Sequence, residues 1–252
     1  MVKILTSVDH PHIKHLAKLR VNRDYRHEHH SVVIVGTKPS SEVAPFCQVK
    51  SVLVYDESFL PEKVHADYVY VVNQAIMKKA SGMLAPEGIL LEVAMPKPAT
   101  LKGAKQILVL DGVNDPGNLG ALLRTALALG WDGAFILENS CDPFNDKALK
   151  AARGATFRLP IKMGTWKELN ELSVQEGWSP VVADLDGVPP EKISKKEKIL
   201  LILGNEAHGA SLEAKELGDK VTIPMPGPME SLNVSVAGGI LLYLLKKGKN
   251  HD

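Results

Sequence analysis

The stretch QILVLDGVNDPGNLGALLRTALAL, residues 106–129, decides how the chain is read. It opens with the apolar run from Ile107 to Leu110, the pattern of a strand covered on both faces. A loop of Gly, Asn, Asp and Pro follows. Leu119, Leu122, Leu123, Ala126 and Leu127 then recur at helical spacing, which predicts a helix over 118–129 with one buried side. The alternation continues downstream. Strands are expected over 134–137, 181–183, 199–203 and 221–223, and helices over 166–176 and 232–247. The expected fold is α/β, a mostly parallel sheet with helices on both faces. On such sheets ligands bind outside the carboxyl ends of the strands.

Upstream the character changes. A helix is expected over 11–26, with Ile13, Leu16, Ala17 and Leu19 on one stripe and Lys14, Lys18, Arg20, Arg23 and Arg26 on the other face. Six of the nine histidines lie here, at positions 10, 12, 15, 27, 29 and 30. Short strands are expected over 32–35, 52–54 and 68–72, giving a small α/β module. The segment from Met95 to Ala104 holds Pro96, Pro98 and Gly103 and reads as a linker. The organisation expected is therefore a domain over 1–95, a linker over 96–105 and a second domain over 106–252.

Composition sets outer bounds. The 252 residues are 45% hydrophobic and 23% charged, ordinary for a globular protein with a real core. No stretch approaches the roughly 20 uninterrupted apolar residues of a membrane span. The opening MVKILTSVDH has neither an apolar signal core nor an Arg/Ser-rich leader, so an intracellular protein is expected, with cytosol, chloroplast and mitochondrion all open. Cys47 and Cys141 are the only cysteines; they read as packing residues in a reducing compartment and make no zinc cluster. With a net charge of +1, any nucleic-acid binding rests on a local patch. The basic face of the first helix is such a patch, or simply a solvated face.

Three loops stand where the strand-end rule predicts a site: Asp111 to Gly120 leading into Arg124, Leu203 to Gly209, and Ile223 to Asn233. Each is rich in Gly, Pro or Asn, residues that let a backbone approach a ligand closely. Singly, each has a plain structural account. Asn118 can be an N-cap, Arg124 can pair with Asp115, Glu206 can cap the following helix, and Ser231 or Asn233 can cap the last one.

Together, in this order and spacing, they resemble the three motifs of the SpoU (TrmH) branch of the SPOUT superfamily, the 2′-O-ribose RNA methyltransferases. The first motif, Asp-x-x-x-Asp-Pro-x-Asn-x-Gly-Ala-x-x-Arg-Thr-Ala, matches Asp111 through Ala126. The second, Leu-Gly-x-Glu-x-x-Gly, is matched by Leu203, Gly204, Glu206 and Gly209. The third is matched by Ile223, Pro224 and Met225, then by Ser231 through Ala237. The N-terminal module is similar to the family's small substrate-binding domain, on the strings Leu5-Thr-Ser7, Ile13-Lys-His-Leu16, Val33-Ile-Val-Gly36 and Ala85-Pro-Glu-Gly-Ile-Leu90. Val35 stands where that family usually carries a glutamate, Ala152 where a serine is frequent, and Ala207 where a glycine is frequent.

The resemblance implies an α/β sheet with a deep C-terminal trefoil knot, contrary to the usual rule that connections do not thread one another. It implies S-adenosyl-L-methionine as cofactor, held by Gly204, Ile223 and Leu232, with Leu203, Met225 and the Ala183-Asp184 strand end as further contacts. Arg124 matches the catalytic arginine, which acts either as base or, since a guanidinium stays protonated, as a grip on phosphate and developing alkoxide. Asn118, Glu206, Ser231 and Asn233 are implied to orient ribose and arginine, and Glu206 can instead pair with Arg124. No metal is implied. The partners implied are RNA, either tRNA or rRNA, and a second copy of the chain packed through the last helix, whose apolar character also suits burial within one chain. Competing readings are a catalytically inactive RNA-binding protein of the same fold and a base methyltransferase. A dehydrogenase is opposed by the absence of Gly-x-Gly-x-x-Gly after the first strand.

Overall fold

The computed structural model describes residues 2–61, 64–193 and 196–246. Two compact units appear, one of Met1–Lys97 with Phe144–Phe157, the other of Pro98–Pro143 with Arg158–Asp252. The segment Phe144–Phe157 thus belongs with the N-terminal unit, although it lies far downstream of it in sequence.

The first unit runs β1 (Val2–Leu5), α1 (Pro11–Val21), α2 (Arg23–His29), β2 (Ser31–Val35), α3 (Thr37–Val43), β3 (Val49–Val54), β4 (Ala66–Val72), α4 (Gln74–Ser81) and β5 (Ile89–Ala94). The sheet order is β1-β4-β3-β5-β2, with β5 antiparallel to both its neighbours and the other pairs parallel. Every residue of β2 is buried because successive side chains enter opposite cores. Val33 and Val35 meet Leu16 and Leu19 of α1 and Ile76 of α4, whereas Val32 and Ile34 meet Val52, Leu91, Phe144 and Phe157.

The helix expected over 11–26 is two helices. Asn22 leaves helical geometry at φ −113°, ψ 115°, and its side chain accepts from the backbone N–H of Tyr25 at 2.8 Å to start α2. Arg26 is consequently not part of a basic surface. It is 3% exposed, and its guanidinium donates to the carbonyls of Leu19 (2.8 Å) and Arg20 (3.1 Å) near the end of α1.

The second unit begins with β6 (Gln106–Leu110), α5 (Pro116–Ala128) and β7 (Gly133–Leu137). The chain then forms α6 (Asp146–Ala152) in the first unit before β8 (Ile161–Gly164), α7 (Trp166–Glu176), β9 (Ser179–Val188), β10 (Ile199–Leu203), α8 (Leu212–Leu217), β11 (Asp219–Val221) and α9 (Val234–Leu245). The order is β11-β9-β10-β6-β7-β8, and every pair is parallel. One face packs Ile107, Val109, Leu200 and Ile202 against Leu169 of α7 and Ala214 of α8. On the other, α9 crosses so near β10 and α5 that a Cβ on Gly238 would stand 2.4 Å from Leu122 and 2.5 Å from Leu203. Trp131 also donates its indole N–H to the carbonyl of Leu242 at 3.1 Å.

Several boundaries move. The helix expected over 118–129 starts at Pro116, and the strand expected over 181–183 extends from Ser179 to Val188. The strand expected over 221–223 ends at Val221, leaving Ile223 beyond it. The last helix starts at Val234, and Lys247, its expected end, lies outside the described residues. Leu203 pairs with Leu110 and Ile202 with Val182, so β6 and β10 deliver their following loops to one end of the sheet, while β9 runs on past them to Val188.

Candidate active site

The loop after β6 is fastened from below. Asp111, 2% exposed, accepts from the Asn139 amide at 3.0 Å and from the backbone N–H of Ser211 at 2.9 Å. A buried carboxylate needs such donors, and these tie the loop to the segments after β7 and before α8. The neighbouring Gly112 carbonyl accepts from Asn205 at 2.8 Å. Asp115, not Asn118, is the N-cap of α5: its carboxylate accepts from the Asn118 backbone N–H at 2.8 Å, with Pro116 at the first helical position.

The loop after β10 folds back on itself through paired hydrogen bonds between Asn205 and Gly209, at 2.8 and 2.9 Å. The return is so tight that a Cβ on Gly204 would lie 2.3 Å from backbone atoms of Gly209 and Ala210. Glu206 at its tip reaches the first loop. Its carboxylate accepts from the backbone N–H of Asn114 (3.2 Å) and Asp115 (3.1 Å) and from the Asn118 amide (3.2 Å). Partial burial alone would raise its pKa, but its backbone hydrogen bonds and the Asn118 amide together hold it below the usual glutamate value.

The third loop closes the triangle. Asn233 caps α9, its side-chain oxygen accepting from the backbone N–H of Ser235 at 2.8 Å, while its amide donates to the Asn118 oxygen at 3.1 Å. Asn118 therefore gives to Glu206 and receives from Asn233. Arg124, on the same helix as Asn118, is exposed and makes no hydrogen bond or ion pair with the described residues, so it pairs with neither Asp115 nor Glu206. Glu206 does not cap α8; Ser211 does.

Beside this network lies a cavity of about 430 Å³. Ala183, Leu203, Gly204, Ile223, Met225 and Leu232 all line it, and so do Glu206 and Ser231. Asn118, Arg124 and Asn233 are not on its wall. The polar side chains on that wall that went unread in the sequence include His208 and Lys215, the latter in an ion pair with Asp184 at 3.3 Å. Asp184 stands at the read strand end beside Ala183, but Lys215 sits on α8, which the sequence reading did not find. Among the described residues no group of three or more His, Cys, Asp or Glu side chains is arranged to hold a metal ion, and no helix is long and apolar enough to cross a membrane.

The class of protein is thus an all-parallel α/β sheet with a cavity at its strand-end loops and a carboxylate–amide network at its side. The SpoU rRNA Methylase family matches residues 105–243, and the chain belongs to that family; it is a methyltransferase. It is 33% identical over 201 residues, 79% of this chain and 81% of the relative, to the 23S rRNA (guanosine(2553)-2′-O)-methyltransferase RlmP of Bacillus subtilis (strain 168). Against the 23S rRNA (guanosine-2′-O-)-methyltransferase RlmB of Xylella fastidiosa (strain 9a5c) it is 39% identical over 147 residues, 56% of this chain and 58% of that protein. The AdoMet-bound rRNA methyltransferase from Sinorhizobium meliloti superposes with a TM-score of 0.84 at 27% identity, covering 97% of each chain.

Proposed function

We propose that the protein transfers a methyl group from S-adenosylmethionine to a ribose 2′-hydroxyl of RNA, with ribosomal RNA as the substrate class. The observation that carries this reading is that three loops, distant in sequence, meet in one hydrogen-bond network, and that the second and third of them line one cavity beside it. The cavity suits the donor. Its volume falls in the range of about 300–1,000 Å³ common for small-molecule sites. Its wall combines apolar Leu203, Ile223 and Leu232 with charged Asp184 and Lys215, matching a ligand that is part nucleoside and part amino acid.

When bound, S-adenosylmethionine supplies an electrophilic methyl group, so the chain's task is chiefly alignment. Gly204 and Ile223 bring backbone against the ligand, with Leu203, Leu232, Met225 and Ala183 around it. Arg124, a permanent cation without a partner among the described residues, grips the phosphate next to the target ribose and stabilises negative charge on the attacking oxygen. Asn118, Glu206, Ser231 and Asn233 fix the ribose and the helix that carries Arg124.

The reading extends to the whole molecule. The first unit binds the RNA, and the second performs the transfer. Val236, Tyr243 and Leu244 are exposed apolar side chains on α9, which supports pairing with a second copy. The chain's return from β11 at the sheet edge to α9 against α5 supports a knotted C-terminal end. Two free cysteines support an intracellular setting.

The test is methyl transfer from labelled S-adenosylmethionine to ribosomal RNA, with mass spectrometry of the digested nucleosides. Label on ribose, lost in Arg124→Ala, is expected. Label on a base, or none at all, sinks the reading.

A further inference from the structure

The N-terminal unit carries a feature that the methyl-transfer site does not use. Six rings form a continuous row across it: Tyr68, Tyr70, His12, His15, His29 and Tyr25. Successive centroids are 6.2, 4.9, 5.9, 5.1 and 3.9 Å apart, and three of the five steps are stacked. A lysine stands over each end, Lys3 at 5.6 Å from the Tyr68 ring and Lys18 at 4.1 Å from the Tyr25 ring.

The row is held from beneath by a polar network. Glu92, 6% exposed on β5, takes His15 on one oxygen at 3.1 Å and the Ser51 hydroxyl on the other at 3.0 Å; Ser51 in turn meets His12 at 3.0 Å. Ser51 pairs in register with both Tyr68 and Glu92, so the support lies directly under the row. Burying the Glu92 carboxylate on a strand is costly where an aliphatic side chain would serve, as Leu90 does on the same strand; His12 and His15 of α1, both half-buried, close over it. The arrangement keeps ring planes aligned, and at Tyr68, 51% exposed, the row opens to solvent. The carboxylates nearby are occupied: Glu92 as above, and Asp9 by Lys14 and Lys79.

An open aromatic face flanked by ammonium groups matches one chemistry above others, a base on the ring and a phosphate on the cation. We propose that this row is the stacking platform for unpaired bases of the RNA substrate, with Tyr68 receiving the base and Lys3 the adjoining phosphate. The proposal rests on the reading that the substrate is RNA. His12, His15 and Glu92 act through Tyr70 and Tyr68 as positioning residues.

The test is fluorescence anisotropy of the full chain with a labelled single-stranded RNA of roughly ten nucleotides and with a duplex of the same length. Tyr68→Ala is expected to weaken single-strand binding between about fivefold and a hundredfold, the range of one lost base–ring stack. Tyr68→Phe keeps the wild-type affinity, and duplex binding is equal in all three. Lys3→Ala is expected to lower the salt slope of single-strand binding by about 0.7, one phosphate's worth. Equal single-strand affinity of Tyr68→Ala and wild type overturns the proposal, as does equal weakening of single strand and duplex, or an unchanged salt slope in Lys3→Ala. Should Tyr68→Ala fail to fold in a circular-dichroism melt, the Lys3→Ala slope alone decides. Uptake of S-adenosylmethionine by the wild-type chain, followed by calorimetry, separates the two readings: its absence strikes methyl transfer, whatever the anisotropy gives.

Discussion

The side-chain amide of Asn233 donates to the side-chain oxygen of Asn118 over 3.1 Å, joining residues 115 positions apart. Asn233 has a second duty as the N-cap of α9. The two duties separate by substitution. Asn233→Ala is expected to cost about 1 kcal/mol of stability from the lost cap. Asn233→Ser retains a capping oxygen and most of that stability, yet cannot reach Asn118. Both variants are expected to transfer methyl groups at least tenfold more slowly than wild type. Wild-type turnover in Asn233→Ser would place the residue outside the site.

Arg124 gives the opposite pattern. Exposed and unpartnered among the described residues, it contributes little to the fold, so Arg124→Ala is expected to melt within about 0.5 kcal/mol of wild type. Uptake of S-adenosylmethionine is unchanged, while turnover falls by roughly 10²–10³, the usual loss for one charge-stabilising group. A large drop in melting temperature would show that the guanidinium is structural.

Two glycines make a paired comparison. The Cβ of Gly204→Ala would meet fixed backbone at 2.3 Å, whereas that of Gly238→Ala would meet the ends of leucine side chains at 2.4 and 2.5 Å. Side chains shift more easily than a closed turn. Gly238→Ala is expected to cost about 1–3 kcal/mol, lessened by alanine's better helix propensity. Gly204→Ala is expected to cost more and to abolish calorimetric binding of S-adenosylmethionine. Equal melting of the two variants would contradict this.

Glu206 predicts a pH dependence. Its folded pKa lies below the ordinary 4.5, so its contribution to stability is complete above that value and lost as pH falls through the depressed folded one. Thermal melts of wild type against Glu206→Gln should differ above about pH 5 and converge under strong acid. A gap that widens on acidification would reverse the assigned sign.

Burial pushes both Cys47 and Cys141 up to about 11, so little thiolate exists near neutrality. Neither is expected to react with a disulfide reagent at pH 8 on the timescale of a free thiol until the protein is denatured. Prompt reaction of one equivalent would identify an opened segment.

Much of this architecture was legible because it rests on local patterns. The unbroken apolar runs in β6 and β10 mark strands buried on both faces, and Trp166–Glu176 appears with the bounds expected from its period. Family motifs grouped five of the six expected residues that line the cavity, and Ala183 came from the strand end before them. What failed was context. Asn22 looks like any polar helix residue until its side chain is seen capping the next helix, and Arg26 looks basic and exposed until the carbonyls it serves are found. Pro116 after Asp115 was a readable start signal for α5 that the motif reading passed over. β8 is a short edge strand without a long apolar run, and the Asp184–Lys215 pair joins the end region of β9 to α8, a helix that follows a different strand.

The return of α9 across β10 to α5 has a consequence in time. Its cap supplies one corner of the network around Asn118, and its body meets Leu122, Leu203 and Trp131. Contacts between such remote parts of a chain form late, after local helices and neighbouring strands. Until α9 docks, Asn118 lacks its partner Asn233. On the proposed function, competence to modify RNA therefore awaits the arrival of this one element.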